Sequence, residues 1–247
     1  MIQNGNDEKY FRLPRFFGDV TADRATLTGD DCKHIVNVLR LTAGKRVIIC
    51  DNLVDFTAEI IAISSGSVEL EVIRQTPNKA ELPTRVRLFQ CLPKGDKLDF
   101  ITQKATELGV TEIIPVLSKR CVSRPDDKSM RCKLVRLNRV AYEAAKQSGR
   151  GVVPRVLPLI AFSEAAAMLN AETDGLFFYE GGGEKPSAVI TAGRNIDVFI
   201  GCEGGFSDEE VQLATSKGWR TCTLGNRILR CETAPIAALA VIADCIS

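Results

Sequence analysis

Three short segments hold the residues best suited to chemistry. In IGCEGGFSDEE, 200–210, an apolar run ending at Ile200 breaks into Gly201, Glu203, Gly204 and Gly205 and then enters residues able to start a helix. TLGNRILRCETA, 223–234, gathers Leu224, Gly225, Ile228, Leu229, Arg230, Glu232, Thr233 and Ala234, and LFFYEGGGE, 176–184, carries Phe178, Tyr179 and Glu180 into three glycines. Glycine turns let a backbone approach a ligand closely, but Glu203 stands where a phosphate would be repelled. The glycines miss the GxGxxG register and no GKS or GKT follows, which disfavours dinucleotide and nucleoside-triphosphate sites. Two plainer readings stand beside this one. Ser207 and Glu210 can form a capping box, and Arg227, Arg230 and Glu232 can form a surface ion pair.

A second constellation is basic. From Lys119 to Arg150 there are ten lysines and arginines against three acids, although the whole chain carries only +1, so this stretch could dock a polyanion or simply be a solvated helix face. Glu143, Lys146, Gln147 and Arg150 share one helical face, with Leu134, Leu137, Ala141 and Ala145 able to turn inward. His34, the only histidine, has neither a triad pattern nor a second histidine beside it, and reads as structural or facing RNA. Nine scattered cysteines without a CxxC pair give neither a disulfide framework nor a zinc site, and read as reduced and mostly buried; no metal is expected.

The elements that must position these residues fall into two groups. Up to about Arg74 the pattern is mainly β, with strands over 46–50, 56–63 and 67–73 and one helix opened by Thr28 and Asp31 and ended before Gly44. QTPNKAELPT, 75–84, reads as a linker. Beyond it strands over 85–92, 112–117, 175–179, 196–200 and 221–224 alternate with helices over 97–108, 129–148, 163–170, 207–217 and 233–245. Strands such as DVFIG lack clean alternation, as a sheet covered on both faces requires, so the second part is expected to be an α/β domain with a largely parallel sheet. Ligands of such sheets bind beyond the carboxyl ends of the strands, where all three glycine segments fall.

At 45% hydrophobic and 26% charged, the composition is that of a folded soluble protein. No apolar run approaches the roughly 18 residues that span a bilayer, and MIQNGNDEKY lacks the features of a secretion signal, so a cytoplasmic protein is expected. Residues 1–11 read as a flexible tail.

RLPRFF (12–17), HIVNVLRLTAG (34–44), LPKGDKLDFITQKATELGV (92–110), EAAKQSGR (143–150), IGCEGG and LGNRILRCETA together resemble, nearly end to end, the RsmE family of 16S ribosomal RNA uridine-N3 methyltransferases in the SPOUT superfamily. The resemblance implies an N-terminal PUA-like β-barrel over 12–74 that binds RNA and a C-terminal SPOUT α/β domain over 85–247 with a deep trefoil knot. It implies a homodimer acting on 16S rRNA, in the assembled small ribosomal subunit. The three glycine segments then hold S-adenosyl-L-methionine, a sulfonium that accommodates Glu203. RNA contacts are expected from Arg12, Arg15, Phe16, Arg40, Glu143, Gln147 and Arg150. Cys202 and Cys231 depart from the family's usual Pro and Thr, and losing Pro removes a restraint on the cofactor loop.

Uracil N3 carries a proton and attacks poorly until it leaves, so a base or a cation stabilising the ring anion is needed. Arg230 is expected to supply the cation, and Glu232 a base or a partner that orients Arg230. The alternatives are a SPOUT methyltransferase for another base or a ribose 2′-oxygen, and a noncatalytic RNA-binding assembly protein.

Overall fold

The computed structural model describes residues 13–247, so the expected tail and Arg12 lie outside the described residues. The chain divides into two units. One holds the residues up to Glu81 together with Lys146–Val152, and the other holds Leu82–Ala145 and Val153–Ser247.

The first unit is built on a five-stranded sheet of β1 (Arg15–Phe17), β2 (Arg24–Thr28), β3 (Arg46–Asp51), β4 (Val54–Ser64) and β5 (Ser67–Pro77), in the order β1-β3-β4-β5-β2. Alternation sets its register: Ala25 and Leu27 of β2 face Leu70 and Val68 of β5, and all four are buried. The expected helix is shorter than its pattern. It runs as α1 (Gly29–Lys33) into a π-helical turn at His34–Val38, and Thr28 makes no side-chain cap because it is still paired in the β2 ladder. β5 continues to Pro77, inside the segment expected as a linker, since a proline at a strand end removes no needed ladder donor.

Three residues expected to meet RNA lie in this unit's interior instead. Phe16 is wholly buried, edge-on to His34 at 6.0 Å with the Lys146 ammonium 4.6 Å above its ring. Arg15 is buried in a bidentate pair with Asp55 and also donates to the Arg150 carbonyl. Arg150, 1% exposed, donates to both carboxylate oxygens of Glu81 at 2.7 and 2.6 Å, and Glu81 accepts from the Gly151 amide as well. A buried guanidinium must be paired, and these cations are spent on carboxylates of their own unit. Arg40, Glu143 and Gln147 remain exposed, Arg40 with a φ of +51°.

The second unit holds β6 (Val86–Cys91), α2 (Lys97–Glu107), β7 (Glu112–Leu117), α3 (Asp127–Ser148, its last three residues counted with the first unit), β8 (Arg155–Val156), β9 (Ile160–Ala161), α4 (Phe162–Ala167), β10 (Thr173–Phe178), α5 (Pro186–Val189), β11 (Asn195–Ile200), α6 (Asp208–Ser216), β12 (Arg220–Cys222) and α7 (Thr233–Ile246). Its sheet is wholly parallel, in the order β12-β10-β11-β6-β7-β8 with β9 also on β7. β6 is buried at all six positions, as a doubly covered strand must be. Phe89, Phe162, Phe177, Phe199, Phe206 and Trp219 pack ring against ring in the core, Phe177 and Phe206 at 4.2 Å. At register partners of β6 and β11, Arg87 and Asp197 form a buried bidentate pair.

Among the described residues all nine cysteines are free, only Cys132 and Cys245 being exposed. No described helix is long and apolar enough to cross a membrane.

Candidate active site

Because β12, β10 and β11 are neighbours, the loops leaving their carboxyl ends converge. They enclose a cavity of about 710 Å³. Phe178, Tyr179 and Glu180 line it from the β10 end, and Ile200, Gly201, Glu203, Gly204 and Gly205 from the β11 end. Leu224, Gly225, Ile228, Leu229, Arg230 and Ala234 close it from the last loop and α7. Thr233 does not line the cavity; it is the first residue of α7, and its amide donates to the Arg230 carbonyl.

The glycine turn is a built feature. Gly205 donates to the Cys202 carbonyl at 3.0 Å and has a φ of +63°; a Cβ there would sit 2.4 Å from the Glu180 carboxylate. Arg120, from the basic stretch, donates to the Gly204 carbonyl at 2.9 Å, and its own Cβ occupies the space a Gly204 side chain would need. The turn feeds α6 through the expected capping box: the Glu210 amide donates to Ser207 Oγ, and the Ser207 amide to Glu210 Oε2. Gly205→Ala is expected to weaken ligand binding in this cavity about tenfold or more, through left-handed strain of about 1–3 kcal/mol and displacement of Glu180, as calorimetry would show.

The missed residue is Lys97, at the start of α2. Its ammonium lies 2.9 Å from Glu203 Oε1 and 3.0 Å from Glu232 Oε2, and it lines the cavity. Its motif, LPKGDKLDF, was visible in the sequence, but nothing local gave its partners. Burial opposes ionisation of Glu203, yet the bond from Lys97 and the amides around it, including that of Lys94, outweigh this and bring its pKa down to about 2. Lys97 likewise lowers the pKa of Glu232, so both carboxylates are ionised at neutral pH and are poor proton acceptors. The expected pairing of Glu232 with Arg230 is therefore corrected: Glu232 is held by Lys97. Arg230 is exposed at the cavity wall, and its guanidinium has no side-chain partner among the described residues. Three cysteines line the cavity, Cys202, Cys222 and Cys231, and the pKa values of all three thiols are raised, that of Cys222 to about 12 by burial. Burial and the Glu232 carboxylate push Cys231 up to about 12, and a bond to Cys121 together with burial raises Cys202.

The cavity suits an organic ligand of moderate size that carries charge of both signs, since Glu180 and Glu203 line it together with Lys97, Arg227 and Arg230. Its volume falls within the roughly 300–1,000 Å³ of small-molecule sites, its walls mix Phe178, Ile200 and Leu229 with glycine backbone, and Glu180 and Glu203 supply negative charge. No group of three or more metal-ligating side chains stands together among the described residues.

Residues 80–243 match the RNA methyltransferase domain family, and residues 27–73 the RNA methyltransferase PUA domain family. The chain is 36% identical over 245 residues to ribosomal RNA small subunit methyltransferase E of Bacillus subtilis, across 93% of this chain and 96% of that relative. It is 31% identical over 232 residues to the Synechocystis protein of the same name, across 88% and 72%. A crystal structure of a ribosomal RNA small subunit methyltransferase E from Neisseria gonorrhoeae, bound to S-adenosyl methionine, is 33% identical and aligns with a TM-score of 0.86 over 94% of this chain and 97% of that one. This chain belongs to the RNA methyltransferase family that carries these two domains, the family of ribosomal RNA small subunit methyltransferase E.

Proposed function

We propose that the protein methylates N3 of a specific uridine in 16S rRNA, using S-adenosyl-L-methionine held by the three loops. The observation that carries this reading is the convergence of those loops, with their apolar, acidic and glycine-backbone walls, into one cavity of about 710 Å³. The cofactor supplies an activated methyl group on a sulfonium. Phe178, Ile200, Leu224 and Leu229 would hold its apolar edges and the backbone of Gly201–Gly205 its polar ones, with Glu203 and Glu180 suiting the positive charge. Fixing the cofactor against a uracil edge turns a bimolecular displacement into an oriented one, and such positioning contributes up to about 7–11 kcal/mol in the best-aligned cases.

Arg230 is the residue placed to stabilise the uracil anion. It lines the cavity without a competing side-chain partner, and negative charge on the ring oxygens is what a guanidinium there would meet. Glu232 acts through Lys97 and α7 rather than as the proton acceptor. The pairing edge of uracil must be unstacked to be reached, which favours a splayed nucleotide in an assembled small ribosomal subunit. Exposed Arg40 in the first unit and Gln147 and Glu143 on α3 remain as candidate RNA contacts.

The finer architecture follows the same reading. The five strands of the first unit, with bulges in β4 at Thr57/Ala58 and Ile60/Ala62, support a PUA-like barrel. After β12, at the sheet edge, the chain returns across β10 and β11 to place α7 against α2, which supports the trefoil knot. Ile228, 88% exposed beside the cavity, is a side chain that the partner in a homodimer would cover. A cytoplasmic address follows from a ribosomal substrate.

The test is to incubate the protein and S-adenosylmethionine with small ribosomal subunits lacking the modification, digest the RNA and analyse nucleosides by mass spectrometry. N3-methyluridine is expected. A different methylated nucleoside would move the target to another base or a 2′-oxygen, and no product despite cofactor binding would reject the assembled-subunit substrate.

A further inference from the structure

We propose that Lys97 is a positioning residue that fastens the loop after β11 to the loop before α7, so that one ammonium fixes two walls of the cofactor cavity relative to each other. The inference rests on the reading of that cavity as the methyl-donor site.

Lys97 reaches three acceptors: Glu203 Oε1 at 2.9 Å, Glu232 Oε2 at 3.0 Å and Cys231 Sγ at 3.7 Å. An ammonium has three donors and no acceptor, so this set uses all of them. The three partners come from two separate segments of the chain. Glu203 comes from the glycine turn, and Cys231 and Glu232 from the residues that end the last loop. The Lys94 amide adds a second tie to Glu203, so the chain entering α2 grips that carboxylate through backbone and side chain together. The other polar member is the Cys231 thiol, which bonds to Glu232 at 3.2 Å. Two carboxylates and one ammonium leave a net single negative charge beside a cationic cofactor, whereas without Lys97 the same carboxylates would face each other directly.

That arrangement separates a charge clamp from mere packing. Glu203 is held at about 2, below the roughly 4.3 of a free glutamate, so its contribution is complete above the unfolded value and fades only as pH falls through about 2. Removing the ammonium leaves like charges as neighbours, which raises the pH at which one of them takes up a proton.

The experiment is calorimetry of S-adenosylmethionine binding to the full-length protein from pH 4 to 9, with kcat measured alongside and thermal unfolding as the folding control. The unaltered protein is expected to bind with nearly constant affinity across the acid side of that range. K97M is expected to bind about tenfold more weakly at pH 7, the scale of losing hydrogen bonds to charged groups, with an affinity that changes between about pH 4 and 6. K97M/E232Q, which relieves the repulsion, should recover binding to within about threefold of the unaltered protein. E203Q reads the same contact from the other side, should K97M fold poorly, and is expected to weaken binding by a similar factor. Binding by K97M and E203Q within twofold of the unaltered protein, with a flat pH profile, would overturn the clamp alone, as would a double variant no better than K97M. An unaltered protein that binds no cofactor would overturn the cavity's reading and the clamp with it.

Discussion

Arg230→Ala is expected to lower kcat for rRNA methylation by about a hundredfold to a thousandfold, while cofactor affinity changes by less than about threefold. The magnitude is that of removing one preorganised donor from a site where charge develops. Glu203 and Glu232 are committed to Lys97, and their lowered pKa values make them weak bases at neutral pH. The cysteines on the cavity wall are held protonated, so they offer no thiolate. Arg230 and Arg227 line the cavity as exposed cations without a side-chain partner among the described residues, and Arg230 is the one whose carbonyl accepts from the first amides of α7. On the proposed reaction at uracil N3, a variant without that cation relies on solution pH to remove the ring proton. Its kcat should therefore keep rising into alkaline conditions where the unaltered enzyme has levelled. Single-turnover assays read by mass spectrometry across pH 6 to 10 check this. A kcat within threefold of the unaltered enzyme would remove Arg230 from the chemistry.

The second large effect concerns stability. Asp197→Ala is expected to cost about 3–5 kcal/mol, measured by urea unfolding, because it strands Arg87 in the middle of a doubly covered sheet. Asp197 is wholly buried and Arg87 is 6% exposed. Among the described residues the guanidinium also meets the Met168 carbonyl at 3.4 Å and the face of Phe89 at 5.2 Å, while Glu112, its register partner on β7, acts on it through space without an ion-pair contact. A guanidinium does not give up its proton at any ordinary pH, so the variant cannot escape by neutralising Arg87. Replacing both partners with leucine should recover most of the loss, since a buried pair exchanged for apolar groups of similar volume is often near neutral. An unchanged urea midpoint in the single variant would show that the pair contributes nothing.

The site was legible in the sequence where function and local pattern coincide. A buried parallel strand that stops at a glycine turn announces a ligand loop without any knowledge of its neighbours, and Ile200–Gly205 and Leu224–Arg230 were found in that way. Lys97 was not, because it meets its partners only after the β12-β10-β11-β6 order has brought residues more than a hundred positions apart together. The same distance misled the reading of the basic residues. Arg15 and Arg150 look like surface cations beside Phe16 and Gln147, but their carboxylates, Asp55 and Glu81, lie 40 and 69 positions away. The strand pattern up to Arg74 was clear from alternation. The short β1, which adds itself parallel to β3, and the π-helical turn at His34 have no periodic signature long enough to detect.

The first unit is not a contiguous stretch of chain. Its strands come from the residues up to Glu81, but Lys146–Val152 belongs to it too, supplying the Arg150 fork to Glu81, the Gly149 carbonyl to Asn78 and the Lys146 ammonium to Asp31. A gene fragment cut after Glu81 would encode a sheet missing those partners, with a carboxylate left where a bidentate cation belongs. A single recombined segment ending at Glu81 would carry the sheet without the residues that pair its Glu81, Asn78 and Asp31.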